Sequence, residues 1–443
     1  MKVLYIHQYF CTRDGRSGTR SYEFARRLVR NGHRVTMLTS DSDLSDLRIP
    51  AGARSARLQV EGIEVVAVRA PYSQKMGTLG RIQSFLLFML RSSWIACRLP
   101  RHDVVIATST PLTVGVPGLL AALVRRTPLV FEVRDLWPEA PIQMGVIRNP
   151  AVIGLLRAFE RLVYRRSAHV IALSPGMRDG VRAAGTPAEK ISVIPNCSDL
   201  DLFRPGDPPQ AVLDRFGLED AFVVAYAGSM GEANAVDVLV DAAELLRDRA
   251  DVRFLLIGQG KQAQAVQEDV ARRGLRNVVF AGSVPRREVV GLLQASHVAL
   301  VLFRDLPILA TNSPNKLFDA LAAGRPVIVN SDGWTRALVE RHDVGRFARP
   351  GSAESLASEI LWLRDHPDER SAMGRNARRL AQAEFDRDKL AARFEAVLRA
   401  AAGSLPAALD AESERVAPAT PAPAALPTGL ADPNGWLEQE TRR

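Results

Sequence analysis

Residues 3–39 read VLYIHQYFCTRDGRSGTRSYEFARRLVRNGHRVTMLT. Val3–Tyr9 is a short apolar run and predicts a buried strand. Thr19–Asn31 repeats its apolar residues at helical spacing and stops at Gly32, a residue that favours the left-handed turn ending a helix. Arg34–Thr39 is a second apolar run. Strand, helix and strand in so short a stretch predict a βαβ unit, and hence parallel strands.

The same rhythm extends outward. Val104–Thr108, Leu129–Val133, His169–Leu173 and Ile191–Pro195 predict further strands, with helices at Leu112–Arg125 and Ala151–Arg166. Phe203–Pro209 is a Pro/Gly-rich break. Beyond it the rhythm restarts, with strands at Phe222–Ala227, Arg253–Ile257, Asn277–Phe280, His297–Phe303 and Pro326–Asn330. Helical patterns follow at Ala353–Asp365, Glu369–Glu384 and Arg387–Ala401. The expected class is α/β, with two doubly wound Rossmann-like units facing across a cleft. The expected division is a first Rossmann-like domain at 1–200, a second at 201–385, a helix at 386–401, and a disordered Ala/Pro-rich tail at 402–443.

Composition is that of an ordinary globular chain, with 47% hydrophobic and 24% charged residues. Net charge is +9, although the last 43 residues are acidic. A basic body suits anionic partners such as nucleotide diphosphates, nucleic acid or an anionic membrane, without choosing among them. Three scattered cysteines without a CxxC pair argue against a disulfide framework or a zinc site, and fit a reducing cytoplasm. Neither a signal peptide nor a membrane-spanning run is apparent.

Several strand-to-helix segments carry chemistry. Gly15 and Gly18, leading to Thr19, lie between the first strand and first helix. Glycines there let backbone N–H groups approach a phosphate, although a tight turn would read the same way. Gly228 and Ser229, and Val284 further on, follow strands of the second half and are read as donor-facing. Ser313-Pro314-Asn315-Lys316-Leu317-Phe318-Asp319 is read as a helix opening with Ser313 as N-cap. Its free N–H groups and Lys316 could face a diphosphate, and Asp319 could take two ribose hydroxyls. A capped helix with a surface Lys–Asp pair is the bland alternative. Arg134, Asp135, Trp137 and Glu139 cluster after a buried strand. Asp135 and Glu139 are candidates to bind sugar hydroxyls or polarise an acceptor, with Trp137 stacking on a sugar; the alternative is an ion-pair cluster closing the sheet. Ile194–Asp199 reads mainly as a hinge. Leu79–Leu99 is apolar with Arg81, Arg91, Arg98 and Trp94. It is either a core helix of the first domain or an interfacial helix on anionic lipid.

Taken together, HQYF, GRSGTRSYEFARRL, EVRDLWPE, IPNCSDLDLF, YAGSMG, LLIGQG and SPNKLFDALAAGRPVI stand in a familiar order. The chain resembles the GT-B-fold, retaining, family-4 glycosyltransferases of bacterial surface-polysaccharide and lipopolysaccharide assembly, most closely their fucosamine-type branch. The likeness spans about residues 1–400. It implies an acceptor-side domain at 1–200, a nucleotide-sugar-binding domain at 201–385 and a helix at 386–401 packing back toward the first domain, with Gly15 and Gly18 facing the donor diphosphate and Asp319 holding the donor ribose. It also implies retaining transfer without a metal, a UDP-linked donor sugar of acetamido or deoxy type, and a lipid-linked oligosaccharide or lipopolysaccharide acceptor. Catalytic roles are assigned to Arg134, Asp135 and Glu139. The sequence departs from the family at three places. Thr311 replaces the first acid of a paired-acid motif, leaving Asn312 as a neighbouring substitute. No base follows the first strand of the second domain, so Lys316 and Lys261 would have to compensate. Cys197 replaces a glycine at the linker.

The expected protein is thus a cytoplasmic transferase, with the inner face of the cytoplasmic membrane as its membrane site if Leu79–Leu99 docks there. A nucleotide-sugar epimerase on the same fold is the alternative enzyme. A nucleic-acid-binding role rests on charge alone and lacks a recognisable motif.

Overall fold

The structure, a computed structural model, describes residues 1–15, 18–42, 45–73 and 76–403. The tail expected at 402–443 lies outside the described residues from 404 onward.

The first unit is built on strands β1 (Lys2–Ile6), β2 (Arg34–Ser40), β3 (Ser55–Val60) and β4 (Ile63–Val68), with β5 (Val104–Thr108), β6 (Leu129–Val133), β7 (His169–Ala172) and β8 (Ile191–Val193). They form one sheet in the order β3-β4-β2-β1-β5-β6-β7-β8. Every pairing is parallel except β3 with β4. Each residue of β5 and β6 is buried, as expected where helices cover both faces of a parallel sheet. The helices are α1 (Arg20–Arg30), α2 (Thr78–Arg98), α3 (Gly115–Arg125), α4 (Glu139–Gln143), α5 (Pro150–Arg166) and α6 (Pro175–Ala183).

The second unit contains β9 (Phe222–Ala227), β10 (Val252–Ile257), β11 (Val278–Gly282), β12 (Val298–Val301), β13 (Val327–Val329) and β14 (Gly345–Phe347). Their order is β11-β10-β9-β12-β13-β14, the arrangement of a dinucleotide-binding sheet. Its helices are α7 (Gln210–Phe216), α8 (Val236–Leu245), α9 (Ala263–Arg272), α10 (Arg286–Gln294), α11 (Asn315–Ala322) and α12 (Trp334–His342). Then follow α13 (Ala353–Asp365), α14 (Pro367–Glu384) and α15 (Arg387–Ala401). The last of these leaves the second unit. Its Phe394 is fully buried against Phe24 of α1 and Tyr5 of β1, with ring centroids 4.8 and 6.0 Å away.

Three strands escaped the sequence reading. β3 and β4 form a hairpin around Glu61-Gly62, both with positive φ, as a two-residue turn requires. β3 alternates exposed and half-buried residues at the sheet edge, so it shows no apolar run. β14 reads Gly345-Arg346-Phe347, with a glycine and an arginine in place of an apolar run. Observed β1 ends at Ile6, short of the expected Tyr9, because the chain turns there into the loop that enters the cleft.

Candidate functional site

The carboxyl ends of the two sheets face one cavity of 510 Å³. Loops after β1, β6 and β8 line it from the first unit. Loops after β9, β10, β11 and β12, with the start of α11, line it from the second. In each sheet the strand order reverses at the strand contributing the central loop, β1 and β9. Crevices beyond such switch points are where open α/β sheets bind ligands.

Two glycines show how tight the cavity is. A Cβ on Gly258 would sit 2.0 Å from the carbonyl oxygen of Gly228, and Gly258 has φ +137°. The turns after β9 and β10 therefore touch backbone to backbone, which leaves peptide groups at the cavity wall. A Cβ on Gly18 would lie 3.2 Å from Asn315 Nδ2 and 3.4 Å from Arg134 Nη2. The loop after β1 thus reaches both α11 of the opposite unit and the end of β6.

Three cations line this space, Arg134, Arg286 and Lys316. Arg134 Nη1 donates to His7 Nε2 at 3.0 Å, and the Nδ1 of His7 lies 2.7 Å from Ser21 Oγ. Since Nε2 accepts, the ring proton belongs on Nδ1. Burial, and then the charge of Arg134, hold His7 well below its usual pKa, so it stays neutral. The His7 ring therefore orients the guanidinium without competing for its charge. Next along the chain, Asp135 accepts a 2.6 Å hydrogen bond from Thr110 Oγ1. Burial raises its pKa, opposed by Thr110 and Arg134.

Lys316 is half-buried under the Gly228 turn. Its Nζ donates to Tyr226 Oη at 3.1 Å, Asn234 Oδ1 at 3.1 Å and the Leu302 carbonyl at 3.4 Å, and lies over the rings of Tyr226 and Phe303. All these partners are neutral. Burial lowers its pKa to about 7. An uncompensated ammonium at a cavity wall favours an anion beside it. Asp319 is buried and its Oδ1 accepts from Arg286 Nη2 at 2.7 Å and Ser198 Oγ at 2.8 Å. The guanidinium of Arg286 also stacks over Phe203, 4.8 Å from the ring centroid.

The cavity wall gathers Gly15, Gly18, Arg134, Asp135, Gly228 and Ser229 from the residues singled out in the sequence. Val284, Ser313, Asn315, Lys316 and Asp319 join them, as does Asn312, the neighbour of Thr311. Several others are placed elsewhere. Glu139 opens α4 and pairs with Arg157, its Oε1 accepting from Nε at 2.8 Å. Trp137 packs edge-on against Phe85. Both follow a turn that carries them away from the strand end and out of the cavity lining. Thr19 is buried, with its hydroxyl 3.4 Å from Arg387 Nη1. Lys261 is mostly exposed and paired with Glu232, outside the lining.

The opening of α11 differs from the expected N-cap. Its N-cap is Pro314 and the helix begins at Asn315. Ser313 is drawn off by the linker: its Oγ accepts from Asn196 N–H at 3.1 Å, and its carbonyl accepts from Asn196 Nδ2 at 2.6 Å. Asn196 also lines the cavity, so the linker is more than a hinge. Thr311 donates to the Ile308 carbonyl, and its own carbonyl accepts from Ser174.

Arg286 and His7 went unnoticed in the sequence. A signal for Arg286 existed, since it opens a helix directly after the β11 strand end. His7 had no motif, because its role depends on α1 and β6 meeting in space.

Comparison with known proteins supplies independent findings. The profile described as "Glycosyl transferase 4-like domain" matches residues 17–197, and that described as "Glycosyl transferases group 1" matches residues 221–366. WcaI of Escherichia coli (strain K12), named as a colanic acid biosynthesis glycosyl transferase, is 24% identical over 353 residues, 75% of this chain and 84% of that one. Two curated sugar transferases of Streptomyces kanamyceticus are spanned over 58% and 55% of their length. Anabaena HepE in complex with UDP superposes with a TM-score of 0.66 at 20% identity, covering 90% of this chain and 100% of that one. WaaG, a glycosyltransferase involved in lipopolysaccharide biosynthesis, superposes with a TM-score of 0.63 at 16% identity, covering 90% and 100%.

Proposed function

Because the chain belongs to the glycosyltransferases that these two family profiles describe, we propose that it moves a sugar from a UDP-linked donor to a lipid-linked oligosaccharide or lipopolysaccharide acceptor, with retention. It is an enzyme of polysaccharide-type glycosyl transfer on the GT-B fold. The observation carrying the finer reading is the cavity in which Arg134, Arg286 and Lys316 surround glycine turns and the first turn of α11. Backbone N–H groups at a helix start and fixed cations are what a departing diphosphate needs.

In this reading Lys316, Arg286 and the α11 N–H groups hold the diphosphate, and no metal is required. Asp319 takes ribose hydroxyls through the oxygen that Arg286 leaves uncommitted. The sugar, an acetamido or deoxy hexose, lies toward Arg134 and Asp135. The acceptor hydroxyl attacks the anomeric carbon on the face that the diphosphate leaves. A bond forms from the anomeric carbon to the acceptor oxygen, the bond to the phosphate oxygen breaks, and that phosphate oxygen takes the acceptor proton. Asp135 orients the incoming hydroxyl. The protein contributes positioning and fixed charge.

The acceptor side fits a lipid carrier. Among the described residues no helix is long and apolar enough to cross a membrane. Helix α2 nevertheless exposes Leu79 (77%), Leu90 (64%) and Trp94 (60%), while Phe88 and Ala96 on its other face are fully buried. It packs on α3, which exposes Leu123 and Val124, and α3 touches α5, which exposes Val152 and Leu155. Arg98, Arg125, Arg126 and Arg161 stand among them. An apolar face rimmed by arginines suits the surface of an anionic bilayer. Tyr9, Tyr72, Phe85 and Trp137 run in ring contact from beside His7 toward α2.

Calorimetric titration with UDP, GDP, ADP and CDP in EDTA tests the donor site. UDP should bind best, and Lys316→Ala should weaken it by about tenfold or more, about 1.4 kcal/mol. Failure of every nucleotide to bind in EDTA would overturn the metal-independent reading. Incubation of the UDP-sugar with and without acceptor follows, with the anomeric configuration read by NMR. An altered sugar formed without acceptor would favour an epimerase.

A further inference from the structure

A second cavity, of 830 Å³, shares no lining residue with the cleft. It lies where the linker (Pro205–Asp207) meets the α11–β13 turn (Ala323–Pro326) and the α14 helix. Five arginines line it, Arg325, Arg370, Arg375, Arg378 and Arg379, together with His297. Asp207 is the one carboxylate in its wall.

Helical spacing explains the concentration of charge. Arg370, Gly374 and Arg378 follow one another at four-residue steps on α14, and Ser371, Arg375 and Arg379 form the adjacent row. Gly374 lets the helix approach the turn closely: a Cβ there would lie 2.6 Å from the Gly324 carbonyl oxygen. Both rows are thereby brought against Arg325.

The recorded hydrogen bonds of these guanidiniums go to neutral groups. Arg325 Nη2 donates to the Gly206 carbonyl at 3.2 Å, and its buried Nε has no partner. Arg370 Nη1 donates to the Leu363 carbonyl at 2.7 Å. Arg378 ties down the Phe203 and Ala322 carbonyls at 2.8 and 2.7 Å, a structural duty. Among the described residues, Arg375 and Arg379 donate to Ser371 and Asn376 of their own helix. Burial lowers the pKa of Arg325, Arg370 and Arg378. His297 accepts from Val223 N–H through Nδ1 at 3.0 Å, which leaves Nε2–H as a neutral donor. Burial, then Arg370 and Arg325, push its pKa down to about 4. Among the described residues none of the five guanidiniums forms an ion pair, although Asp207 shares the wall and Asp201 and Asp386 stand near Arg378; such an excess of positive charge calls for an anion, and guanidinium forks match phosphate oxygens bidentately.

We propose that this arginine-lined cavity binds a small soluble phosphate-bearing ligand, at a site separate from the cleft. Arg370, Arg375 and Arg379 face the phosphate, Arg325 adds its charge from the cavity wall, and His297 donates. A free metabolite fits better than a lipid headgroup. The large hydrophobic residues that stand exposed fall within residues 79–162, with Leu245 on α8, and none borders this cavity.

The test is a titration of pyrophosphate into the full chain and into R375A/R379A, each with and without excess UDP. These two arginines are exposed and donate within α14, so the variant is expected to keep its melting temperature. Saturable binding that persists with UDP, falls about tenfold or more in the variant and leaves UDP affinity unchanged is the expected result. Equal pyrophosphate affinity in both proteins, or no binding once UDP is present, would overturn the proposal. So would vesicles of phosphatidylglycerol that bind the full chain and lose binding in R375A/R379A, because the arginines would then serve a membrane. The comparison without UDP stands even if the cleft binds no nucleotide, so failure of the two readings is distinguishable.

Discussion

Lys316 has no charged partner, and its ammonium is held near pKa 7 by burial alone. A diphosphate beside it would favour the charged form and raise that pKa. Between the free and bound values, ligand binding must take up a proton, so affinity falls as pH rises above about 7. Titration with UDP at pH 8 in buffers of different ionisation enthalpy should therefore register uptake of close to one proton, absent in Lys316→Met. Binding without proton uptake at pH 8 would place Lys316 out of reach of the phosphates. The neighbouring Asp319 and Arg286 differ, because each already neutralises the other at 2.7 Å. Their pairing holds the Arg286 guanidinium in place at the wall, whereas Lys316 awaits a counterion. The Ser-Pro-Asn-Lys run was legible as the start of a helix from its residue types. That Ser313 would serve Asn196 instead of capping α11 was not, because its partner lies 117 residues away.

At the level of elements, Arg20 joins three segments that bound the cleft. Its Nε donates to Glu132 of β6 at 2.9 Å, and its two other nitrogens reach the Pro195 and Ile194 carbonyls at 2.6 and 2.9 Å. Glu132 is fully buried and also accepts from Thr108 Oγ1 at 2.6 Å. Removing one partner of such a pair strands a charge in the interior, at a cost of about 3–5 kcal/mol. Arg20→Met should lower unfolding free energy by that amount in a denaturant titration, and R20M/E132M should recover much of it. An unchanged midpoint for Arg20→Met would deny the pair its structural role. Periodicity located α1, β5, β6, α13 and α15 well, because those segments bury a regular face or both faces of a strand. Edge strand β3 eluded it, since alternating half-exposed residues carry little hydrophobic signal, whereas β4 (Ile63–Val68) holds a readable apolar run that was passed over. In EVRDLWPE the residue types were equally suggestive along the whole run. Only the turn into α4 separates Arg134 and Asp135 at the cavity from Glu139, which faces Arg157.

For the whole molecule, charge and apolar exposure are distributed over different faces. Apart from Leu245 of α8, the exposed leucines and Trp94 lie on α2, α3 and α5 of the first unit, and the arginine cavity lies on the second. If α2 docks on an anionic bilayer, each large side chain it buries contributes about 1.5–3 kcal/mol. Leu86→Asp with Leu90→Asp should then weaken sedimentation with phosphatidylglycerol vesicles by more than about tenfold, with melting temperature and nucleotide binding unchanged. Binding should also weaken with added salt, as arginine contacts to headgroups are screened. Equal sedimentation of wild type and variant would sink the docking face. The helix α15 makes the fold a single chain-crossed assembly, because Phe394 returns to Phe24 and Tyr5 of the first unit.

The linear order of residues was enough to fix the α/β class, the restart of the strand–helix rhythm after Phe203–Pro209 and the glycine-rich strand ends, because these follow from local periodicity and backbone freedom. It also carried the family motifs. Tertiary structure alone decided which charged groups share a cavity. Arg286 meets Asp319, His7 orients Arg134, and the five arginines of the second cavity come together across α14 and the α11–β13 turn. Such juxtapositions depend on the packing of segments distant in the chain, and burial then sets their charge states, which a linear pattern of residue types does not encode.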